Sequence, residues 1–70
     1  MNFKLIKKDI GNQNVVEERT FKSISQIAKE LNTTYCSCYN NYLLNIGEST
    51  KQPKKRSQVL FNKQYSIVNA

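Results

Sequence analysis

The chain has 70 residues, with 11 Lys and Arg against five Asp and Glu and no His, which gives a formal net charge of +6 at pH 7. So short a chain forms one small domain over residues 1–70 and buries only about 60% of its unfolded surface. No apolar run approaches the roughly 20 residues of a membrane span. The first residues lack the apolar core of a signal peptide, so we expect an intracellular protein of the cytoplasm, the nucleus or a virus particle.

The positive charge favours a polyanionic partner, because Lys and Arg side chains neutralise phosphate groups. The alternative is a solvated basic surface that keeps a small protein soluble. The charge alone does not separate these two interpretations.

The reactive side chains do not form a catalytic or metal-binding pattern. The two cysteines, Cys36 and Cys38, fall short of the four ligands of a structural zinc site unless two chains combine. On a helix they point about 200° apart, which is poor disulfide geometry. We expect Cys38 to be a small buried packing residue. With no His and no glycine-rich phosphate loop, we predict neither an enzyme nor a cofactor.

The N-terminal part predicts a β-hairpin over residues 2–21. Its strands are Asn2–Lys8 and Val15–Phe21, and the Gly and Asn residues between them favour a turn. Glu17 and Glu18 lie on the second strand, so we expect the hairpin to face away from phosphate.

The stretch Ser23–Leu31 predicts a helix. Four apolar residues recur at the spacing of one helical face: Ile24, Ile27, Ala28 and Leu31. Ser23 followed by Gln26 makes a capping box, which satisfies free N–H groups of the first turn. Asn32 tolerates the left-handed conformation that ends a helix.

A second stripe predicts another helix over Thr34–Asn45, with Thr33 or Thr34 as its cap. Its members are Tyr35, Cys38, Tyr39, Tyr42, Leu43 and Ile46. Two helices joined so closely, over residues 23–46, indicate a helix-turn-helix. In that motif the second helix can enter the major groove of DNA.

The composition changes in the C-terminal third. Residues 47–56 predict a flexible basic loop, because Pro53 forbids a regular continuation of the helix. Residues 57–68 predict a second hairpin with strands Ser57–Phe61 and Gln64–Val68. The predicted fold class is therefore α+β, a two-helix helix-turn-helix unit flanked by short N-terminal and C-terminal antiparallel strand pairs.

A known family shares part of this pattern. Residues Phe21–Leu31 have the sequence Phe-Lys-Ser-Ile-Ser-Gln-Ile-Ala-Lys-Glu-Leu. This segment resembles the start of the first helix in nuclease-associated modular domains, small helix-turn-helix units found beside homing-endonuclease catalytic domains and in some viral and phage proteins. The resemblance implies a strand pair, a helix-turn-helix and DNA binding. The chain departs from the family at Asn32-Thr33, where Gly-Val is usual, and its second helix has no Arg or Lys.

The polar residues of the second helix are candidates for contact with DNA. They are Thr34, Tyr35, Ser37, Asn40 and Asn41. Asn bonds adenine bidentately and Ser contacts either base, while a helix N-terminus such as that at Thr34 can hold a phosphate. The alternative is that these residues simply face solvent.

The densest basic run is a candidate for backbone contact. It comprises Lys51, Lys54, Lys55 and Arg56, which we expect to clamp phosphates as a wing does beside a recognition helix. Lys22 and Lys63 extend the patch if the fold brings them to the same face. A solvated loop or a short localisation signal is the alternative.

The sequence therefore predicts a small basic helix-turn-helix protein that binds double-stranded DNA, largely through phosphate and with modest base readout. A homodimer or a larger protein partner would complete its small core. The alternative is a structural or adaptor protein, such as a component of a viral particle or nucleoprotein, that binds protein through its Tyr-rich helix. A third interpretation is RNA binding, with Tyr rings stacking on single-stranded bases.

Overall fold

In a computed structural model, described for residues 2–50 and 52–70, three helices pack on one face of a three-stranded antiparallel sheet. The elements follow in chain order as β1 (Phe3–Lys8), β2 (Val15–Phe21), α1 (Ile24–Glu30), α2 (Tyr35–Asn45), α3 (Arg56–Gln64) and β3 (Tyr65–Asn69). The predicted α+β class is confirmed. Within the described ranges, no helix has the length and apolar character needed to cross a membrane.

The sheet has the order β2-β1-β3, so the N-terminal strand is central. Leu5 of β1 lies opposite Arg19 on β2 and opposite Ile67 on β3. The predicted N-terminal hairpin is confirmed, and its turn is closed by a 2.9 Å hydrogen bond from the Asp9 N–H to the Asn14 carbonyl.

Both predicted helices of the middle segment are present, and their first turns are capped by side chains. The Ser23 hydroxyl accepts a 3.2 Å hydrogen bond from the Gln26 N–H at the start of α1. The Thr34 hydroxyl accepts a 3.2 Å bond from the Ser37 N–H at the start of α2. Between the helices, Asn32 has a φ of +54°, the left-handed conformation that Asn accommodates.

The predicted C-terminal hairpin over residues 57–68 is wrong. Residues Arg56–Gln64 form α3, and β3 pairs with β1 instead of with a neighbouring strand. A short apolar run such as Val59–Phe61 suits a buried helix as well as a strand, so spacing alone did not decide between them. Helical spacing is what brings the side chains of Gln58 and Asn62 to a 2.9 Å hydrogen bond.

The core is small and draws on α1, α2 and two strands. Its buried members are Leu5, Ile24, Ile27, Ala28, Cys38 and Ile67. Phe61 of α3 packs against this cluster while remaining partly exposed, and its ring lies 5.2 Å from that of Tyr65. Cys38 is fully buried, as expected, and burial raises the pKa of its thiol to about 11.

One polar side chain, Asn41, is buried beside this core, with 2% of its surface exposed. Its amide nitrogen donates to the side-chain oxygen of Asn62 at 2.8 Å and to the carbonyl of Tyr65 at 3.0 Å. Its oxygen accepts from the Ile67 N–H and from the side chain of Asn45, both at 2.8 Å. All four hydrogen-bonding positions of the amide are therefore used.

Asn45 continues this arrangement, because its amide also donates to the Ile67 carbonyl at 3.1 Å. The backbone groups that Asn41 and Asn45 satisfy lie on the side of β3 that faces away from β1. We call these two side chains the amide cap. The cap closes the free edge of β3, which would otherwise expose unpaired N–H and C=O groups.

Candidate nucleic-acid interface

A groove with a volume of about 620 Å³ separates α2 from the segment that leads into α3. We call it the α2–α3 groove. It is lined by Thr34, Cys36, Ser37, Asn40, Leu44, Ser49, Gln52, Pro53, Lys54, Lys55, Ser57 and Gln58.

Five of the residues that the sequence predicted as nucleic-acid contacts line the groove. These are Thr34, Ser37, Asn40, Lys54 and Lys55. Two ammonium groups lie here among hydroxyls and amides, and no carboxylate is among the lining residues. Such a surface has the positive potential and the hydrogen-bond donors that suit an anion.

Hydrogen bonds between the two walls fix the shape of the groove. The Gln58 amide of α3 donates to the Ser37 carbonyl of α2 at 3.1 Å, and to Asn62 within its own helix. On the α2 side, the Thr34 hydroxyl donates to the Ser37 hydroxyl at 2.9 Å. Thr34 is thus occupied in starting the helix.

The start of α3 adds to the positive character of this region. Lys55 is its N-cap residue and makes no side-chain cap hydrogen bond, and Arg56 begins the helix. The first N–H groups of a helix attract anions together with its macrodipole. Lys54, Lys55 and Arg56 are all exposed at this point.

The structure corrects the expectation that Asn41 faces outward. Asn41 points into the protein, because α2 packs through Cys38, Asn41, Tyr42 and Asn45 rather than through its exposed tyrosines. The sequence pattern of α2 does not distinguish a buried Asn that has four hydrogen-bond partners from an Asn that faces solvent. Asn41 is therefore removed from the set of candidate DNA contacts.

Tyr35 lies outside the groove and forms a different surface of α2. Its ring stacks on that of Tyr39 with centroids 5.7 Å apart, and Tyr39 lies 6.5 Å from Tyr42. Tyr35 is 49% exposed and Tyr39 is 41% exposed. The sequence placed both in an apolar stripe, yet only Tyr42 of the three packs against the core.

The remaining predicted cations are not brought into the groove. Lys22 is exposed just before α1, and Lys63 is exposed near the end of α3. Neither is among the residues that line the groove. Lys51 lies outside the described residues.

Acidic residues gather at the opposite edge of the sheet. Arg19 on β2 forms a 2.7 Å ion pair with Glu30 of α1 and lies 3.9 Å from Glu17. The hydrogen bond to Glu30 raises the pKa of the exposed Arg19 guanidinium. Glu17, Arg19 and Glu30 line a second, smaller pocket together with Leu5, Lys7, Leu31 and Tyr65, and none of these residues lines the α2–α3 groove.

No metal-binding cluster of three or more Cys, Asp or Glu side chains forms in the described part of the chain. Comparison with known proteins found no matching family model, curated protein or solved structure.

Proposed function

We propose that the chain is a small basic DNA-binding protein that holds the phosphate backbone of double-stranded DNA at the α2–α3 groove. The observation that carries this proposal is the meeting of Lys54 and Lys55 with the polar side of α2 in a groove whose lining has no carboxylate. Phosphate contacts supply most of the affinity of such proteins, and basic residues on one surface are their electrostatic footprint.

The residues divide into two roles. Lys54, Lys55 and Arg56, with the first turn of α3, neutralise backbone phosphates. Ser37 and Asn40 lie on the α2 wall, where they reach toward base edges, and Asn40 brings a preference for adenine. Readout is modest because α2 carries no Arg or Lys.

The order of the elements supports a helix-turn-helix as the framework for this binding. α1 and α2 follow one another through a short turn with Asn32 in the left-handed conformation. The resemblance of residues 21–31 to nuclease-associated modular domains favours the same function. In this proposal α2 takes the place of the recognition helix.

The test is fluorescence anisotropy with a random duplex, an A/T-rich duplex and a single strand across a salt series. Replacing Lys54, Lys55 and Arg56 with Gln removes three phosphate contacts, and we expect the slope of log affinity against log salt to fall by about 2.7. The matched control removes the same charge elsewhere, as Lys4, Lys8 and Lys29 to Gln, and should change binding far less. Equal losses in both variants, or no binding by the wild type at low salt, would refute the proposal.

The second candidate function is protein binding by an adaptor or particle component. It is favoured by the exposed Tyr35–Tyr39 stack on a helix without charge, since exposed Tyr side chains are typical of protein interfaces. Under this alternative, Tyr35→Ser with Tyr39→Ser abolishes partner binding and leaves the salt-dependent DNA affinity unchanged. Preferential binding to single strands that is lost in the same variant would indicate base stacking instead.

A further inference from the structure

The two edge strands of the sheet differ in what lies on their outer sides. β3 is closed by the amide cap, whereas β2 has no strand on its outer side in the described part of the chain. Six of the seven residues of β2 are exposed, including Val15 and Val16 at 56% and 60%. An open edge of this length can pair with another strand.

The register shows which backbone groups of β2 are directed outward. Opposed residues in an antiparallel pair alternate between bonded and non-bonded positions. Ile67 gives its N–H and C=O to the amide cap, so its partner Leu5 makes its ladder bonds with Arg19. By the same alternation, the N–H and C=O groups of Glu18 and Thr20 point away from β1.

We propose that two copies of this chain join through their β2 edges in an antiparallel pair, which merges the two sheets into one. A two-fold axis at Glu18 lets the two copies of that residue exchange backbone hydrogen bonds. It also sets Glu17 of each copy opposite Arg19 of the other. Opposite charges directly across a strand pair stabilise it. This inference does not depend on DNA binding.

The side chains of β2 favour this register over others. A two-fold axis at Arg19 would oppose two guanidinium groups, and one at Glu17 would oppose two carboxylates. At Glu18 two carboxylates also meet, but on a face where Lys4 and Lys8 of β1 lie diagonally beside them, within the roughly 7–8 Å typical of such neighbours. Charged residues on an edge discourage indiscriminate pairing, and among the axes at Glu17, Glu18 and Arg19 the one at Glu18 is favoured.

Such a dimer has a definite geometry. The two-fold axis runs perpendicular to the sheet, so both helical layers lie on the same face of the merged sheet. The same axis relates the two α2–α3 grooves to each other.

Two substitutions of Glu18 test the pairing in opposite directions. Sedimentation velocity of the whole chain, from low micromolar to millimolar concentration, gives the dimer dissociation constant. Glu18→Pro removes an outward N–H that β1 does not use, and we expect it to abolish the dimer. Glu18→Thr removes the like-charge contact, and we expect it to tighten the dimer about fivefold. Circular dichroism verifies that each variant is folded.

Charge exchange tests the register without a proline. Glu17→Arg and Arg19→Glu each place like charges across the axis, so each variant alone should dimerise about fivefold more weakly. Mixing the two variants restores both opposite-charge pairs and should restore association. The control mixture of Glu48→Arg with Lys29→Glu has the same charge difference and should gain nothing. A wild type that stays monomeric at millimolar concentration, or a mixture that does not recover, would overturn the proposal.

Discussion

The two sides of the sheet differ in where their polar groups lie. On the β3 side, formed by β3, α2 and α3, polar groups are taken inside: Asn41 is buried, and the amide cap satisfies the edge. On the β2 side, formed by β2 and α1, the polar groups remain in water, and Arg19 pairs with Glu30 at the surface. Buried polar contacts are therefore concentrated on the β3 side, whereas the β2 side supplies the apolar residues Ile24, Ile27 and Ala28 of α1 to the core.

Acidic and basic side chains are also distributed unequally between the β2 side and the β3 side. Glu17, Glu18 and Glu30 belong to β2 and α1, while Lys54 and Lys55 line the groove beside α2. The β2 side is thus suited to pairing with complementary charges, and the β3 side is suited to holding an anion.

Asn41→Ala should have the largest effect on stability. It leaves the Ile67 N–H and the Tyr65 carbonyl without their side-chain partner, and each buried unsatisfied group costs about 1–3 kcal/mol. We expect the free energy of unfolding in urea to fall by about 3 kcal/mol or more. Asn40→Ala on the exposed side of α2 is the control and should change it by less than about 0.5 kcal/mol. Similar losses in both variants would show that the buried amide of Asn41 contributes no more to stability than an exposed Asn.

Cys38 predicts a loss of stability in alkali. Its pKa is raised from about 9 to about 11 by burial, so the folded state prefers the neutral thiol. This contribution is complete below pH 9 and is lost as the pH rises from 9 to 11, in all about 2 kcal/mol. Cys38→Ala lacks this term, so its stability should fall less steeply over that window. Parallel pH profiles for the two proteins would contradict the prediction.

Each side of the sheet has one side-chain helix cap to compare: Ser23 on the β2 side and Thr34 on the β3 side. Thr34→Ala and Ser23→Ala each remove one cap hydrogen bond, and each should lower the free energy of unfolding by about 1 kcal/mol. Only the Thr34 variant disturbs a wall of the α2–α3 groove, so only this variant should also weaken DNA binding. Thr34→Ser retains the cap and should restore both properties.

Glu30→Gln should have the smallest effect. Its ion pair with Arg19 is exposed on both sides, and exposed ion pairs contribute little because water and salt screen them. Thermal unfolding at low and high salt measures the difference, and the wild type and the variant should converge as salt rises. A loss comparable to that of Asn41→Ala would show that this exposed ion pair stabilises the fold as much as the buried amide does.

Local signals explain what the sequence predicted. The first hairpin, the cap at Ser23 and a cap at Thr33 or Thr34 were predicted because they depend on residues close together in the chain, and the structure selects Thr34. α3 was missed because a short apolar run fits two structures, and its choice depends on the packing of Phe61 against the distant core. The burial of Asn41 was missed because its partners, such as Ile67, come from far along the chain.

The groove also could not be predicted from the sequence, because it depends on contacts between residues far apart in the chain. The sequence predicted Ser37 and Lys55 as contacts separately, but their meeting depends on the hydrogen bond from Gln58 to α2. The sequence also placed Tyr35 and Tyr39 in the apolar stripe of α2, but both are exposed, because the spacing of large rings does not tell which side of a helix is covered. The groove and the exposure of these tyrosines both depend on tertiary packing, which short-range sequence patterns do not specify.

The pairing of β1 with β3 has a kinetic consequence. It joins Phe3 to Asn69, and the Ala70 N–H bonds the Asn2 carbonyl at 3.0 Å, so the sheet is completed by contacts between the most distant parts of this sequence. Loop closure of that length is slow, whereas the first hairpin closes locally. The amide cap contacts β3, so we expect it to form after β3 has docked, later than the main folding barrier. Changes at Asn41 and Asn45 should therefore speed unfolding while leaving the folding rate nearly unaltered.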